Sequence, residues 1–139
     1  MKLLADTGAL LALFNPQDQL HRQARQFIRQ AQGVRFVLTE LIVSETVTRL
    51  RSRLDAARAA DVGTALLRSR RYEVIFVDAR LVEAGLGEIR RFADKRLSLA
   101  DAVSFAVIRD LALDGAFTFD RDFGACGFVM HPSLATSRT

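Results

Sequence analysis

Four short stretches place acids where a carboxylate needs a reason: LLADTGALLALF (3–14), SETVTRL (44–50), LSLADA (97–102) and TFDRDF (118–123). Asp101 stands near the start of LSLADAVSFAVIRD, which is apolar or small at almost every position from Leu97 to Ile108. Such a helix belongs in a core, where an unpaired carboxylate is expensive. Asp6 directly follows the apolar run Lys2–Ala5, and Asp120 and Asp122 directly follow Gly115–Phe119. Glu45 lies in LTELIVSETVTRL. Carboxylates gathered in one place repel and hold their protons more tightly, and a hard divalent cation relieves that repulsion. Mg²⁺ takes oxygen ligands, keeps several waters and needs only one or two direct carboxylates. A site of this kind can activate water and stabilise the leaving oxygen in phosphodiester cleavage.

Each acid also has a plain structural use. Asp101 stands three residues after Ser98, a variant capping box. Asp6 could cap the helix that follows it, and Asp122 a last short helical turn. Glu45 precedes Arg49 by four, a favourable helix pair. Asp120, at a strand end, has no such ready use. Glu40 precedes Glu45 by five residues, which turns the two roughly 140° apart on a helix, so Glu40 flanks any site. His21 and His131 are isolated and Cys126 is the single cysteine. That excludes an internal disulfide and a zinc cluster, and leaves oxygen to hold any metal. A lone His21 reads as a packing residue.

The elements that must position these acids alternate. Strand-like runs fall at 2–5, 34–38, 73–77, 115–119 and 128–130. Between them the periodicity predicts helices over 7–14, 19–32 (capped by Asp18, stopped by Gly33), 39–53, 55–70 (capped by Asp55), 78–93 (capped by Asp78) and from Ser98 onward. Alternation of this kind predicts an α/β fold with a parallel central sheet. Right-handed crossovers put the strand C-termini at one edge, where open α/β sheets bind ligands. Asp6, Asp101 and Asp120 can converge there, with Glu45 reaching in. The chain of 139 residues reads as one domain, 1–139, with a frayed tail from about 133. No run reaches the ~18 apolar residues of a membrane span, and no signal peptide is evident, so the expectation is cytoplasmic with no membrane association.

The formal net charge is +4, and of 20 basic residues all but Lys2 and Lys95 are Arg. Arg grips phosphate in a fork, which suits a polyanion such as nucleic acid. A GC-rich genome would also enrich Arg, so charge leaves both explanations open.

Taken together, the four stretches resemble the PIN-domain ribonucleases, and within them the VapC-like toxins of bacterial toxin–antitoxin pairs. They occur in the family's order and spacing over nearly the whole chain. The resemblance implies a three-layer α/β/α fold with sheet order 3-2-1-4-5. It implies a Mg²⁺- or Mn²⁺-dependent endoribonuclease acting on single-stranded or looped RNA and leaving 5′-phosphate and 3′-hydroxyl ends. The family's four acids map to Asp6, Glu45, Asp101 and Asp120, with Asp122 as a further metal position. Thr7, Ser98 and Thr118 match hydroxyl positions around them. Arg49, Arg96 and Arg121, together with Arg51 and Arg53, are candidates to hold RNA phosphates. The family also implies a homodimer and a small antitoxin protein packed near the site; Leu41, Ile42, Val47, Leu50, Leu54, Ala57 and Leu66 could line its groove or fill the core. Two other classes compete. A Mg²⁺-dependent phosphatase on a doubly wound sheet would carry DxDxT after strand 1, where this chain has DTGAL. A non-enzymatic basic nucleic-acid-binding domain would use the acids only as caps.

Overall fold

Leu3, Leu4 and Ala5 are fully buried, and so are Phe36, Val37 and Leu38. Strands without polar alternation belong to a parallel sheet covered on both faces. A computed structural model of the chain describes residues 1–133, so the part of the expected tail beyond Ser133 lies outside the described residues. Its elements are β1 (Lys2–Ala5), α1 (Thr7–Phe14), α2 (His21–Gln30), β2 (Arg35–Thr39), α3 (Glu40–Arg53), α4 (Ala56–Arg68), β3 (Tyr72–Ile75), α5 (Ala79–Arg91), α6 (Leu99–Asp110), β4 (Ala116–Phe117), α7 (Arg121–Ala125) and β5 (Met130–His131). The strands form one five-stranded sheet in the order β3-β2-β1-β4-β5, every pairing parallel. This is the expected order. Leu4 pairs with Val37 on one side and Ala116 on the other.

Chain direction across the sheet sets the layers. From β1 to β3 the chain moves one way; from β3 it returns past β1 to β4 and β5. Right-handed crossovers then put α1–α4 on one face and α5–α7 on the other. The packing agrees: α1 lies on α2 and α3, α3 on α4, and α5 on α6. Phe105 of α6 meets Phe123 of α7 edge-on at 4.9 Å, while on the opposite face Phe27 of α2 stacks on Phe117 of β4 at 5.1 Å. The reversal of strand order beside β1 creates a crevice at the C-terminal ends of β1 and β4.

Several boundaries differ from the sequence reading, each for a local reason. Asp18 does not cap α2. Its Oδ1 accepts the Leu20 N–H at 2.9 Å and its carbonyl the His21 N–H, closing a turn one step ahead of the helix. Nor does Gly33 stop α2, which ends at Ala31. There the Arg71 guanidinium, distant in sequence, takes up the freed carbonyls of Ile28 and Ala31 at 3.2 and 2.7 Å. β3 stops at Ile75 rather than Val77 because both Glu40 carboxylate oxygens accept the Val77 N–H at 2.9 Å. Strand 115–119 narrows to Ala116–Phe117, and the last strand falls at Met130–His131 to pair with it. The cap of α7 is Asp120, not Asp122. Asp55, Asp78 and Ser98 cap as expected, and Thr39 caps α3. Of the groove candidates, Ile42, Leu50 and Leu66 are core. Among the described residues no helix is long and apolar enough to cross a membrane.

Candidate active site

Asp6 leaves the end of β1 with its N–H bonded to the Phe117 carbonyl of β4 at 3.0 Å. It holds the N-cap position of α1, yet its side chain makes no cap bond. Instead Oδ2 accepts the Thr118 hydroxyl at 2.9 Å. The same Thr118 oxygen accepts the Asp120 N–H at 3.0 Å, so one buried threonine joins the ends of β1 and β4. Asp120 then turns into α7, its Oδ1 accepting the Asp122 N–H at 2.9 Å. Ser98 and Asp101 form the reciprocal capping box: Ser98 Oγ accepts the Asp101 N–H at 3.0 Å, and Asp101 Oδ2 accepts the Ser98 N–H at 3.3 Å. Glu45 reaches in from the middle of α3, where Oε1 accepts the Thr7 hydroxyl at 3.0 Å and Oε2 lies 3.8 Å from Arg49.

Asp6, Glu45, Asp101 and Asp120 line one cavity of about 460 Å³. They come from four separate segments. Asp6 is only 7% exposed. Burial, aided by the charges of Asp101 and Asp120 and against the Thr118 bond, pushes its pKa up to about 7. Asp101 is raised by burial and then by Asp120 and Glu45, against the Ser98 bonds that favour its charged form. The structural uses predicted for Asp101 and Glu45 are therefore real and occupy only part of each carboxylate; the cap and the ion pair hold the acids facing the cavity.

The cavity is also lined by Thr7, Ser98, Arg49, Arg53 and Arg96, and by Gly8, Leu11, Asp18, Leu20 and Phe119. The three arginines are exposed and share the cavity with one buried acid, Asp6, two half-buried ones, Glu45 and Asp101, and the exposed Asp120. Asp122, Arg121 and Arg51 are not among the residues that line it. Asp122 follows two residues after Asp120, and its charge adds to burial in pushing up the Cys126 thiol. Thr118 does not line the cavity either, but holds Asp6 from beneath. His21 packs, its Nδ1 2.7 Å from the Ala12 carbonyl. The sequence reading missed Phe119 and Leu20 as lining residues; adjacency to Asp120 was the only signal for Phe119.

Among the described residues no three acids are gathered as a ready-made metal-ligand cluster. The donor set is all oxygen, with histidine and cysteine outside it. Such a set fits a hydrated hard cation held directly by one or two carboxylates and through water by the rest. Asp6, raised first by burial and then by the charges of Asp101 and Asp120, is a carboxylate whose charged form a cation would favour.

Residues 3–129 match the family model for the PIN domain. The chain belongs to the PIN-domain family. This PIN domain is 33% identical over 127 residues to the 23S rRNA-specific endonuclease VapC20 of Mycobacterium tuberculosis, covering 91% of this chain and 95% of that protein. It superimposes on the crystal structure of VapC20, described as a sarcin–ricin loop cleaving toxin, with a TM-score of 0.84 at 30% identity, over 91% of this chain and 96% of the other. Two more distant structures share the fold. A toxin–antitoxin complex from Klebsiella pneumoniae matches at 18% identity and a TM-score of 0.63, over 88% of this chain and 90% of that one. FitAcB from Neisseria gonorrhoeae matches at 16% identity and the same TM-score, over 94% and 96%.

Proposed function

We propose that this PIN domain is a divalent-metal-dependent endoribonuclease that hydrolyses single-stranded or looped RNA, and that it is the toxin of a toxin–antitoxin pair. The observation that carries the reading is the convergence of Asp6, Glu45, Asp101 and Asp120 from four chain segments on one cavity, with Asp6 held near neutrality by burial and by its neighbours. Likeness to VapC20 over nearly the full length of both chains supports it and suggests ribosomal RNA as the first substrate to try.

Asp6, Asp101 and Asp120 would hold Mg²⁺ or Mn²⁺, directly or through water. When bound, the cation supplies activation of a water molecule and neutralises charge developing on the phosphate. Thr118 and the Ser98 cap fix Asp6 and Asp101 so that little reorganisation is needed. Glu45, oriented by Thr7 and Arg49, accepts the proton of the attacking water as general base. The water oxygen bonds to phosphorus, the bond to the 3′ oxygen breaks, and a solvent proton completes the 3′-hydroxyl opposite a 5′-phosphate. Arg49, Arg53 and Arg96 hold the flanking phosphates. An antitoxin that places a cation among the acids would silence the site.

The test is incubation of the purified, partner-free chain with total RNA and ribosomal RNA, with Mg²⁺, Mn²⁺ or EDTA, beside a phosphomonoester substrate. Discrete RNA cuts bearing 5′-phosphates, absent with EDTA, are expected. Phosphomonoester hydrolysis without RNA cleavage would overturn the reading in favour of a phosphatase.

A further inference from the structure

Helix α2, HRQARQFIRQ, contains three arginines and no acid. Arg22, Arg25 and Arg29 recur at the three- and four-residue spacing of a single helix face, roughly opposite Phe27, which stacks on Phe117 of the sheet. All three are exposed, and none forms an ion pair among the described residues. Five other arginines meet acids: Arg49 with Glu45, Arg58 with Asp55, Arg80 with Asp110, and Arg91 and Arg109 with Glu88; what sets α2 apart is three arginines, unpaired among the described residues, on one acid-free helix. Like charges three and four apart weaken a helix, and Arg22 in its first turn opposes the helix dipole. The α2 sequence thus gathers positive charge on one exposed face with no acid to offset it, a surface suited to a polyanion.

A second stripe lies beside the first. Gln23, Gln26 and Gln30 line a groove together with Phe27 and Phe119. Phe119 and Leu20 line this groove and the acidic cavity alike. Phe119 is half-buried, its ring anchored edge-on to Phe117 at 6.1 Å. Glutamine amides offer both donors and acceptors, and an anchored aromatic ring offers a stacking surface; these are the groups that read unpaired bases. From Gln23 to Gln30 the helix rises about 10 Å, the height of about three stacked bases.

We infer that α2 and Phe119 form an RNA-binding track continuous with the cleavage site. The arginine stripe holds backbone phosphates, the glutamine groove takes unpaired bases, and Phe119 stacks the base next to the scissile phosphate. The inference rests on the endoribonuclease reading and goes further by naming the surface that selects the RNA.

The test compares wild type with R22A/R25A/R29A, with Q23A/Q26A/Q30A and with a charge-matched control, R68A/R70A/R90A, all at exposed positions. Circular dichroism and thermal melts confirm folding. Fluorescence anisotropy in EDTA reads binding of a labelled single-stranded 12-mer RNA and of a labelled RNA hairpin; metal-supplemented assays read kcat and KM on ribosomal RNA. The α2 arginine triple is expected to weaken binding at least 10-fold and to reduce the slope of log affinity against log salt by about 2, at ~0.7 for each phosphate that is no longer neutralised. The glutamine triple is expected to raise KM or shift the cut position with that slope unchanged. The control is expected to stay within about 2-fold of wild type. Wild-type binding and cleavage by both α2 triples would overturn the track and leave the endoribonuclease reading standing. Equal loss in the control would reduce it to net charge. A wild type that neither binds nor cuts RNA would overturn both.

Discussion

At the residue scale, the four acids do two jobs at once. Asp101 completes a capping box and lines the cavity; Glu45 makes a helix ion pair and lines it too. Reading sequence residue by residue sets these uses against each other, whereas in the folded chain the structural bond aims the carboxylate. Asp6 shows the cost of the arrangement. Its pKa stands at about 7 against an ordinary 3.8, so the folded chain keeps a proton that the unfolded chain has lost. Asp6 therefore contributes stability to the metal-free protein that is fully present below about pH 4 and is lost as pH rises through about 7, by up to about 4 kcal/mol. Asp6→Asn is expected to remove most of that slope and to melt higher than wild type at pH 8 in EDTA; parallel pH–stability curves would contradict it. Added Mn²⁺ should restore wild-type stability at pH 8 and leave Asp6→Asn unchanged, read by thermal melts. Thr118→Val removes the hydroxyl that both supports Asp6 and accepts the Asp120 N–H. The expected result is a loss of about 1–3 kcal/mol and at least 10-fold weaker Mn²⁺ affinity by titration calorimetry.

At the element scale, helix starts were legible because Thr39, Asp55, Asp78 and Ser98 carry the capping chemistry in their own side chains. What the sequence hid was set from a distance. Arg71 finishes α2 from the start of β3, and Glu40 truncates β3 from the start of α3; no window of neighbouring residues contains both partners. The cap of α7 was assigned to Asp122 instead of Asp120 because a two-residue shift at its start decides which acid caps. Close packing of α5 on α6 was likewise unreadable. A Cβ at Gly85 would meet Val103 Cγ2 at 2.6 Å and the Val103 backbone nitrogen at 3.1 Å. Gly85→Ala, favourable by helix propensity alone, is expected to destabilise by about 1–3 kcal/mol through overpacking, measured by denaturant unfolding. Stabilisation would mean that the two helices separate freely. Because α6 carries Asp101, the same change should lower cleavage if the helix shifts.

At the scale of the whole molecule, the sheet order places the ends of β1 and β4 side by side at the point where the chain reverses direction, and α3 and α6 enter from opposite faces to complete one cavity. Alternating elements predicted a parallel sheet, but the order of its strands came from the family resemblance, because nothing in periodicity distinguishes one doubly wound order from another. Exposed arginines share the cavity with acids that range from the buried Asp6 to the exposed Asp120, which on the proposed function leaves the arginines to hold phosphate. Arg53→Ala and Arg96→Ala are each expected to raise KM for RNA several-fold with kcat nearly unchanged, and a fall in kcat alone would assign them a different role. The central claim is that the acids form one metal-dependent site for RNA cleavage rather than a set of caps. Asp101→Asn tests it most directly, because asparagine can still accept the Ser98 N–H and keep the helix cap. The measurement is the rate of ribosomal RNA cleavage by wild type and variant with Mg²⁺, Mn²⁺ and EDTA, alongside their melting temperatures. The account predicts at least a 100-fold loss of metal-dependent cleavage with stability changed by no more than about 1 kcal/mol. Wild-type cleavage by the folded variant would contradict it and return Asp101 to the role of a helix cap.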